Sequence, residues 1–154
     1  MRTAGSTTDR IEKQILLRAP RARVWRALTE TREFNAWFGV RLTGTFARGE
    51  RLSGPVMHPG YEHLTMEITI EEVQPERRLA WRWHPGADEA GERKTPDETT
   101  LVVFELDDVD GGTLLRVTET GFNRIPLSRR DRAYRENTDG WDGQMKAIER
   151  YVSA

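Results

Sequence analysis

The pattern of apolar and polar positions divides the chain into strand-like and helix-like segments. Apolar residues alternate over residues 11–17, which predicts a strand, and they take helical spacing over residues 21–30. A second short helix is predicted where three aromatic residues stand at i, i+3 and i+4, namely Phe34, Trp37 and Phe38. The first part of the chain is therefore predicted to form one strand followed by two short helices.

Beyond Gly39 the apolar positions recur with a period of two, which favours antiparallel strands. Residues 40–56 predict two strands that turn near Gly49, and residues 64–73 alternate cleanly. Further strand patterns are found at residues 77–83, 99–106 and 113–122. Helical spacing then returns, with a short helix predicted over 127–137 and a terminal helix after it. The apolar stripe of that terminal helix consists of Trp141, Met145, Ile148 and Val152.

This order of elements predicts an α+β fold. A curved antiparallel sheet of about six or seven strands wraps around a long C-terminal helix, with two short helices after the first strand. A single helix covers so broad an apolar face only in part, so we expect a hollow between helix and sheet. Residues 1–9 are small and polar and are expected to be a disordered tail, and residues 10–154 are expected to form a single domain.

Composition and charge exclude several classes of function. The chain carries 24 basic against 25 acidic residues, a net charge of −1, so nucleic-acid binding is not expected. It has no cysteine, which excludes disulfides and an iron–sulfur cluster, and no GxGxxG segment for a dinucleotide. The three histidines lack metal-ligand spacing, so neither a metal nor a cofactor is expected. Without a signal peptide or an apolar run of membrane-spanning length, the protein is expected to be cytoplasmic, with no membrane partner.

Several short segments, in order along nearly the whole chain, carry a resemblance to a known family. They are APRARVW (19–25), WFG (37–39), RLAWRWHP (78–85), GGT (111–113), ETGF (119–122) and the pattern of Asn137, Gly140 and Trp141. Together they resemble the START-like, or SRPBCC, superfamily. More narrowly, the chain is similar to a bacterial single-domain member of the family named for activators of the heat-shock protein 90 ATPase. The resemblance implies a helix-grip fold with a deep pocket between the sheet and the C-terminal helix.

The candidate ligand-binding residues follow from strand alternation combined with this fold. Trp81 and Trp83 stand two residues apart in a predicted strand, so both indoles share one face. They either fill an ordinary core or line a pocket on the concave side of the sheet. The residues expected to contact a ligand are Met66, Ile68, Trp81, Trp83, Phe104, Val117, Glu119, Tyr134, Asn137 and Trp141.

Glu119 is the polar residue that most needs an explanation, because it shares a strand face with Leu115 and Val117. It requires a partner, for which Arg124, Tyr134, Asn137 or a ligand are the candidates, or it braces the turn that follows. Burial would raise its pKa and open a role in acid or base chemistry. Phe38, on the second short helix, is expected to be exposed and to act as a lid over the pocket.

These observations predict a protein that binds a small hydrophobic or aromatic molecule, without an assigned catalytic residue. Two alternatives remain open: an interaction module that activates a chaperone ATPase, and a cyclase or hydrolase that uses a pocket carboxylate. The expected partner is a small hydrophobic molecule, with a chaperone as the alternative. The expected oligomeric state is a monomer or a weak homodimer.

Overall fold

The fold is a six-stranded antiparallel sheet curved around one long helix. The computed structural model describes residues 10–85 and 98–153. The strands are β1 (Arg10–Leu17), β2 (Arg51–Pro55), β3 (Thr65–Gln74), β4 (Arg78–Trp83), β5 (Thr100–Val109) and β6 (Gly112–Thr120). The helices are α1 (Arg21–Thr29), α2 (Thr31–Phe38) and α3 (Leu127–Ser153), and a 3-10 turn covers Phe122–Arg124. The predicted α+β helix-grip fold, with two short helices after the first strand, is confirmed. The predicted tail, residues 1–9, lies outside the described residues.

The sheet is continuous, with strand order β1-β6-β5-β4-β3-β2. Its register places Val102 of β5 opposite both Trp81 of β4 and Glu119 of β6, and it places Glu119 opposite Ile11 of β1. Residues that face one another across the strands share a side of the sheet. The concave side is therefore built from alternate residues of every strand, including Leu52 of the short β2, which lies opposite Ile68.

The core lies between this concave side and α3. Side chains such as Ile68, Trp81, Phe104 and Val117 are fully buried, and each contributes about 1.5–3 kcal/mol through the loss of apolar surface to water. From the helix side, the core receives Ala133, Asn137, Trp141, Met145, Ile148 and Val152. These residues repeat at three- or four-residue intervals, so one stripe of α3 faces the sheet over almost its whole length.

The predicted division of the C-terminal region into two helices is wrong. A single helix runs from Leu127 to Ser153, and the buried stripe continues through its middle with Asn137 and Trp141. Thr138 lies within the helix, and its hydroxyl donates to the carbonyl of Tyr134 one turn earlier at 2.8 Å. Packing against the sheet therefore outweighs the helix-breaking tendency of Gly140 in that stretch.

The prediction of two strands in residues 40–56 is also wrong. Only Arg51–Pro55 forms a strand, and the preceding segment makes isolated bridges through Val40 and Thr43. Gly44, with φ of +123°, breaks the extended conformation there. No helix in the described ranges 10–85 and 98–153 is long and apolar enough to cross a membrane.

Candidate ligand-binding site

The candidate site lies where β4 ends, β5 begins and β6 ends. Because these neighbouring strands are antiparallel, the three ends meet at one edge of the sheet. Trp83, Thr100 and Glu119 stand at these ends. Helix α3 crosses above them and contributes Asn137 and Trp141, which are four residues apart and so share a helix face. Five side chains from four elements thus converge on one point.

The carboxylate of Glu119 is the centre of this group. Its Oε2 atom accepts hydrogen bonds from Trp83 Nε1 at 2.8 Å, Thr100 Oγ1 at 2.5 Å and Asn137 Nδ2 at 2.9 Å. Its Oε1 atom accepts from Trp141 Nε1 at 2.8 Å and from Asn137 Nδ2 at 3.0 Å. The side chain is fully buried. Glu119 therefore joins three strands to α3 through hydrogen bonds to a single carboxylate.

The described partners of Glu119 are all neutral. Among the described residues no salt bridge includes its carboxylate, which is bound there by hydrogen-bond donors without charge. Burial raises the pKa of Glu119 above the usual 4.5, and the hydrogen bonds from Thr100, the two indoles and Asn137 act in the opposite direction. An indole N–H can only donate, so Trp83 and Trp141 bind Glu119 through its acceptor lone pairs.

Aromatic rings surround this group. Trp81 and Trp83 pack edge to face with ring centroids 5.0 Å apart, and Trp141 lies 5.8 Å from Trp83 and 6.4 Å from Trp81. Phe104 lies 5.7 Å from Trp81 and 5.8 Å from Trp141. These separations are typical of favourable aromatic contacts. The two tryptophans of β4 therefore touch the terminal helix directly, and Trp83, which is half-buried, brings the cluster to the surface.

Trp81 carries an unsatisfied hydrogen-bond donor within this cluster. Its side chain is fully buried, and its Nε1 atom has no hydrogen-bond partner among the residues that the structure describes. By contrast, Trp37 donates to the carbonyl of Ala27 at 2.7 Å, and Trp83 and Trp141 donate to Glu119. Most buried indole N–H groups find an acceptor, so Trp81 is an exception that requires an explanation.

The structure brings together six of the ten residues that the sequence singled out. Glu119 is bonded to Trp83, Asn137 and Trp141, and the rings of Trp81 and Phe104 pack against this group. Met66, Ile68 and Val117 are buried elsewhere in the same core. Tyr134 lies apart: its hydroxyl donates to the carbonyl of Arg10 at 3.0 Å, and its ring packs on Phe122.

Two features of the site differ from the sequence-based expectation. Of the partners expected for Glu119, Asn137 bonds to it, whereas Arg124 and Tyr134 are not among its described partners, and Thr100 was missed. Thr100 has the same parity along β5 as the core residues Val102 and Phe104, which was the available signal. Phe38 is not an exposed lid: it is 7% exposed and stacks on Phe34 at 4.7 Å, because α2 packs its aromatic face into the core.

Comparison with known proteins supports the fold assignment. Residues 18–153 match the family model described as Activator of Hsp90 ATPase homolog 1-like protein. Protein MLL2253 from Mesorhizobium loti is similar in structure, with a TM-score of 0.74 and 21% identity over 94% of this chain and 96% of that one. NE0264 from Nitrosomonas europaea gives a TM-score of 0.75 at 19% identity, over 98% of both chains.

A third similar structure is DynU16, from the dynemicin biosynthetic locus, with a TM-score of 0.72 and 22% identity. The match covers 95% of this chain and 48% of DynU16. A search of curated protein sequences found no match. At these identities, the similar structures show a shared fold.

Proposed function

Because the chain belongs to the family of Activator of Hsp90 ATPase homolog 1-like proteins, we propose that it binds a small apolar molecule between the concave side of the sheet and α3. The ligand contacts the aromatic cluster of Trp81, Trp83, Phe104 and Trp141, and the apolar residues Met66, Ile68 and Val117 extend that wall. The observation that carries this proposal is the unpartnered N–H of Trp81.

A buried donor without an acceptor costs about 1–3 kcal/mol relative to a satisfied one. Trp81 has rings on several sides, with Phe34 6.4 Å away in addition to the rings of the cluster. An oxygen atom on a ligand that reached this cluster would accept the free N–H and recover that energy. The proposed ligand is therefore flat and largely apolar, with a carbonyl or ether oxygen on its body.

The geometry gives less support to the enzyme alternative. A general base needs a free lone pair directed at the substrate, and each oxygen of Glu119 already accepts at least two hydrogen bonds. The described contacts therefore suit a fixed charge better than a proton-transfer group. The chaperone alternative rests on the name of the family, and no described contact favours it.

Two naphthalene probes of matched shape test the proposal. 2-Acetonaphthone has a carbonyl where 2-isopropenylnaphthalene has a methylene group, so the two differ mainly in the hydrogen-bond acceptor. Titration calorimetry with the full chain should show the ketone binding about tenfold more tightly than the hydrocarbon, as one recovered hydrogen bond implies. In Trp81→Phe this advantage should disappear.

Trp37→Phe is the matched control, because Trp37 already donates to Ala27 and its loss should leave the preference for the ketone intact. The proposal fails if neither probe binds the wild-type protein. It also fails if the ketone has no advantage over the hydrocarbon.

A further inference from the structure

The buried charge of Glu119 has consequences for the kind of ligand that the site accepts. Two cations on the described elements around the site are engaged in pairs of their own. Lys13 of β1 lies 3.0 Å from Asp142, the neighbour of Trp141 on α3, and Arg129 at the start of α3 pairs with Glu98. Among the described residues none of these cations bonds to Glu119, so the ionised carboxylate is stabilised there by the hydrogen bonds from Trp83, Thr100, Asn137 and Trp141 and has no counter-cation.

The orientation of the indoles adds to this negative field. Trp83 and Trp141 both direct their N–H edges at Glu119, so the carboxylate lies beyond the edge of each ring and not over its face. The two ring planes are inclined at 40° with centroids 5.8 Å apart. An indole face carries negative electrostatic potential, and donation of the N–H to an anion increases the electron density of the ring. The face of half-buried Trp83 is therefore well suited to a cation, whereas Trp141 is already packed among other rings.

We infer, on the basis of the proposed function, that the site selects ligands carrying a positive charge. The preferred class is an aromatic or alicyclic amine whose ammonium group lies against the indole face of Trp83, with Glu119 as its counter-charge. Half-buried Trp83 is the side of the cluster that such a ligand meets first. Anionic amphiphiles such as fatty acids are disfavoured, because their carboxylates would approach a buried charge of the same sign.

Three probes of nearly the same shape separate the effect of ligand charge on affinity from the effect of ligand shape. Benzyltrimethylammonium, neopentylbenzene and phenylmethanesulfonate share a benzyl group attached to a tetrahedral head that is positive, neutral or negative. Titration calorimetry of the wild-type protein should show that the cation binds about tenfold more tightly than the neutral probe. The anion should bind most weakly.

Variants then assign the preference to particular residues. Glu119→Gln should bring the cation and the neutral probe to similar affinities, while binding of the neutral probe remains. Glu105→Gln is the matched control, because it removes one negative charge from a side chain that pairs with Arg78 and Arg116 and has no contact with the cluster. If Glu119→Gln does not fold, Trp83→Leu provides a second check, since the loss of one ring face should weaken the cation more than the neutral probe.

The outcomes distinguish this inference from the proposed function. Equal affinities for the cation and the neutral probe, or tightest binding of the anion, would overturn the charge selectivity and leave the binding function standing. Failure of all three probes while a naphthalene probe binds would likewise overturn the charge selectivity, and failure of both naphthalene probes would overturn the binding function.

Discussion

Trp141 Nε1 donates a hydrogen bond to Glu119 Oε1 at 2.8 Å and thereby joins α3 to β6. Both side chains are almost completely buried, so the bond is formed where water does not compete with it. Hydrogen bonds to an ionised acceptor are stronger than bonds between neutral groups. The position of the long helix over the sheet is therefore set by a directional contact as well as by apolar packing.

Replacing Trp141 by Phe should lower the free energy of unfolding more than the same change at Trp37. Both substitutions shrink a buried ring, but Trp141→Phe removes a bond to a carboxylate, and Trp37→Phe removes a bond to the carbonyl of Ala27. We expect losses of about 1.5–3 kcal/mol from the first bond and about 0.5–1.5 kcal/mol from the second. Urea unfolding of both variants measures the difference, and equal losses would contradict a charged acceptor at Glu119.

Asn137→Asp tests the charge of Glu119 more directly. The Nδ2 atom of Asn137 lies 2.9 and 3.0 Å from the two carboxylate oxygens, so an aspartate there would place two acids in contact. Two carboxylates at this distance cannot both ionise without a large penalty, which raises the pKa of one of them.

The variant should therefore be strongly destabilised at pH 8 and recover as the pH is lowered towards 4, because protonation of one acid in the folded chain removes the repulsion between the two carboxylates. Asn123→Asp, at an exposed position, adds the same charge and serves as the control. Stability of Asn137→Asp close to that of this control at pH 8 would indicate that Glu119 is protonated in the wild-type protein.

The pH dependence of stability should carry the signature of Glu119. Burial raises its folded pKa above 4.5, so between these two values the folded chain binds more protons than the unfolded chain. The contribution of Glu119 is then most favourable below pH 4.5, declines as the pH rises towards the folded pKa, and is constant above it. The described side chains that bond to Glu119 are those of Trp, Thr and Asn, which do not titrate in this range. Lys13 of β1 and Asp142 of α3 form an ion pair with each other.

The measurement is the free energy of unfolding of the wild-type protein minus that of Glu119→Gln between pH 4 and 8. Glu72 provides a contrast of opposite sign, because its hydrogen bond from Arg78 lowers its pKa. The free energy of unfolding of the wild-type protein minus that of Glu72→Gln should diminish as the pH falls below 4.5. A Glu119 difference that rises with pH would contradict the prediction.

The fold could be predicted because most of its determinants are local. The alternation in β3 and the stripe from Trp141 to Val152 each lie within one element, and each indicates which face is buried. The continuity of α3 could not be read from the sequence in the same way, since Gly140 suggests a break that only packing against the sheet overrides. The burial of Phe38 depends likewise on where α2 docks.

The candidate site was predicted in part, for a related reason. Strand parity alone placed Glu119 on the core side of β6, and the family resemblance pointed to Asn137 and Trp141. The identity of its donors depends on sheet register, which brings Trp83 and Thr100 to the same edge from different strands. The free N–H of Trp81 is a property of side-chain orientation and has no counterpart in the sequence pattern.

Gly54 should tolerate no side chain, whereas Gly143 should gain from one. A Cβ atom on Gly54 would lie 1.8 Å from the carbonyl oxygen of Arg41, where the segment before β2 crosses close to the strand, so Gly54→Ala must displace backbone. We expect a loss of about 3 kcal/mol in the free energy of unfolding, at the upper end of typical overpacking costs.

Gly143 is exposed in α3 with open space around its Cβ position, so Gly143→Ala should stabilise the protein by about 1 kcal/mol through helix propensity. Thermal unfolding of the two variants should therefore shift the midpoint in opposite directions, and a neutral Gly54→Ala would mean that the contact with Arg41 is looser than the structure places it.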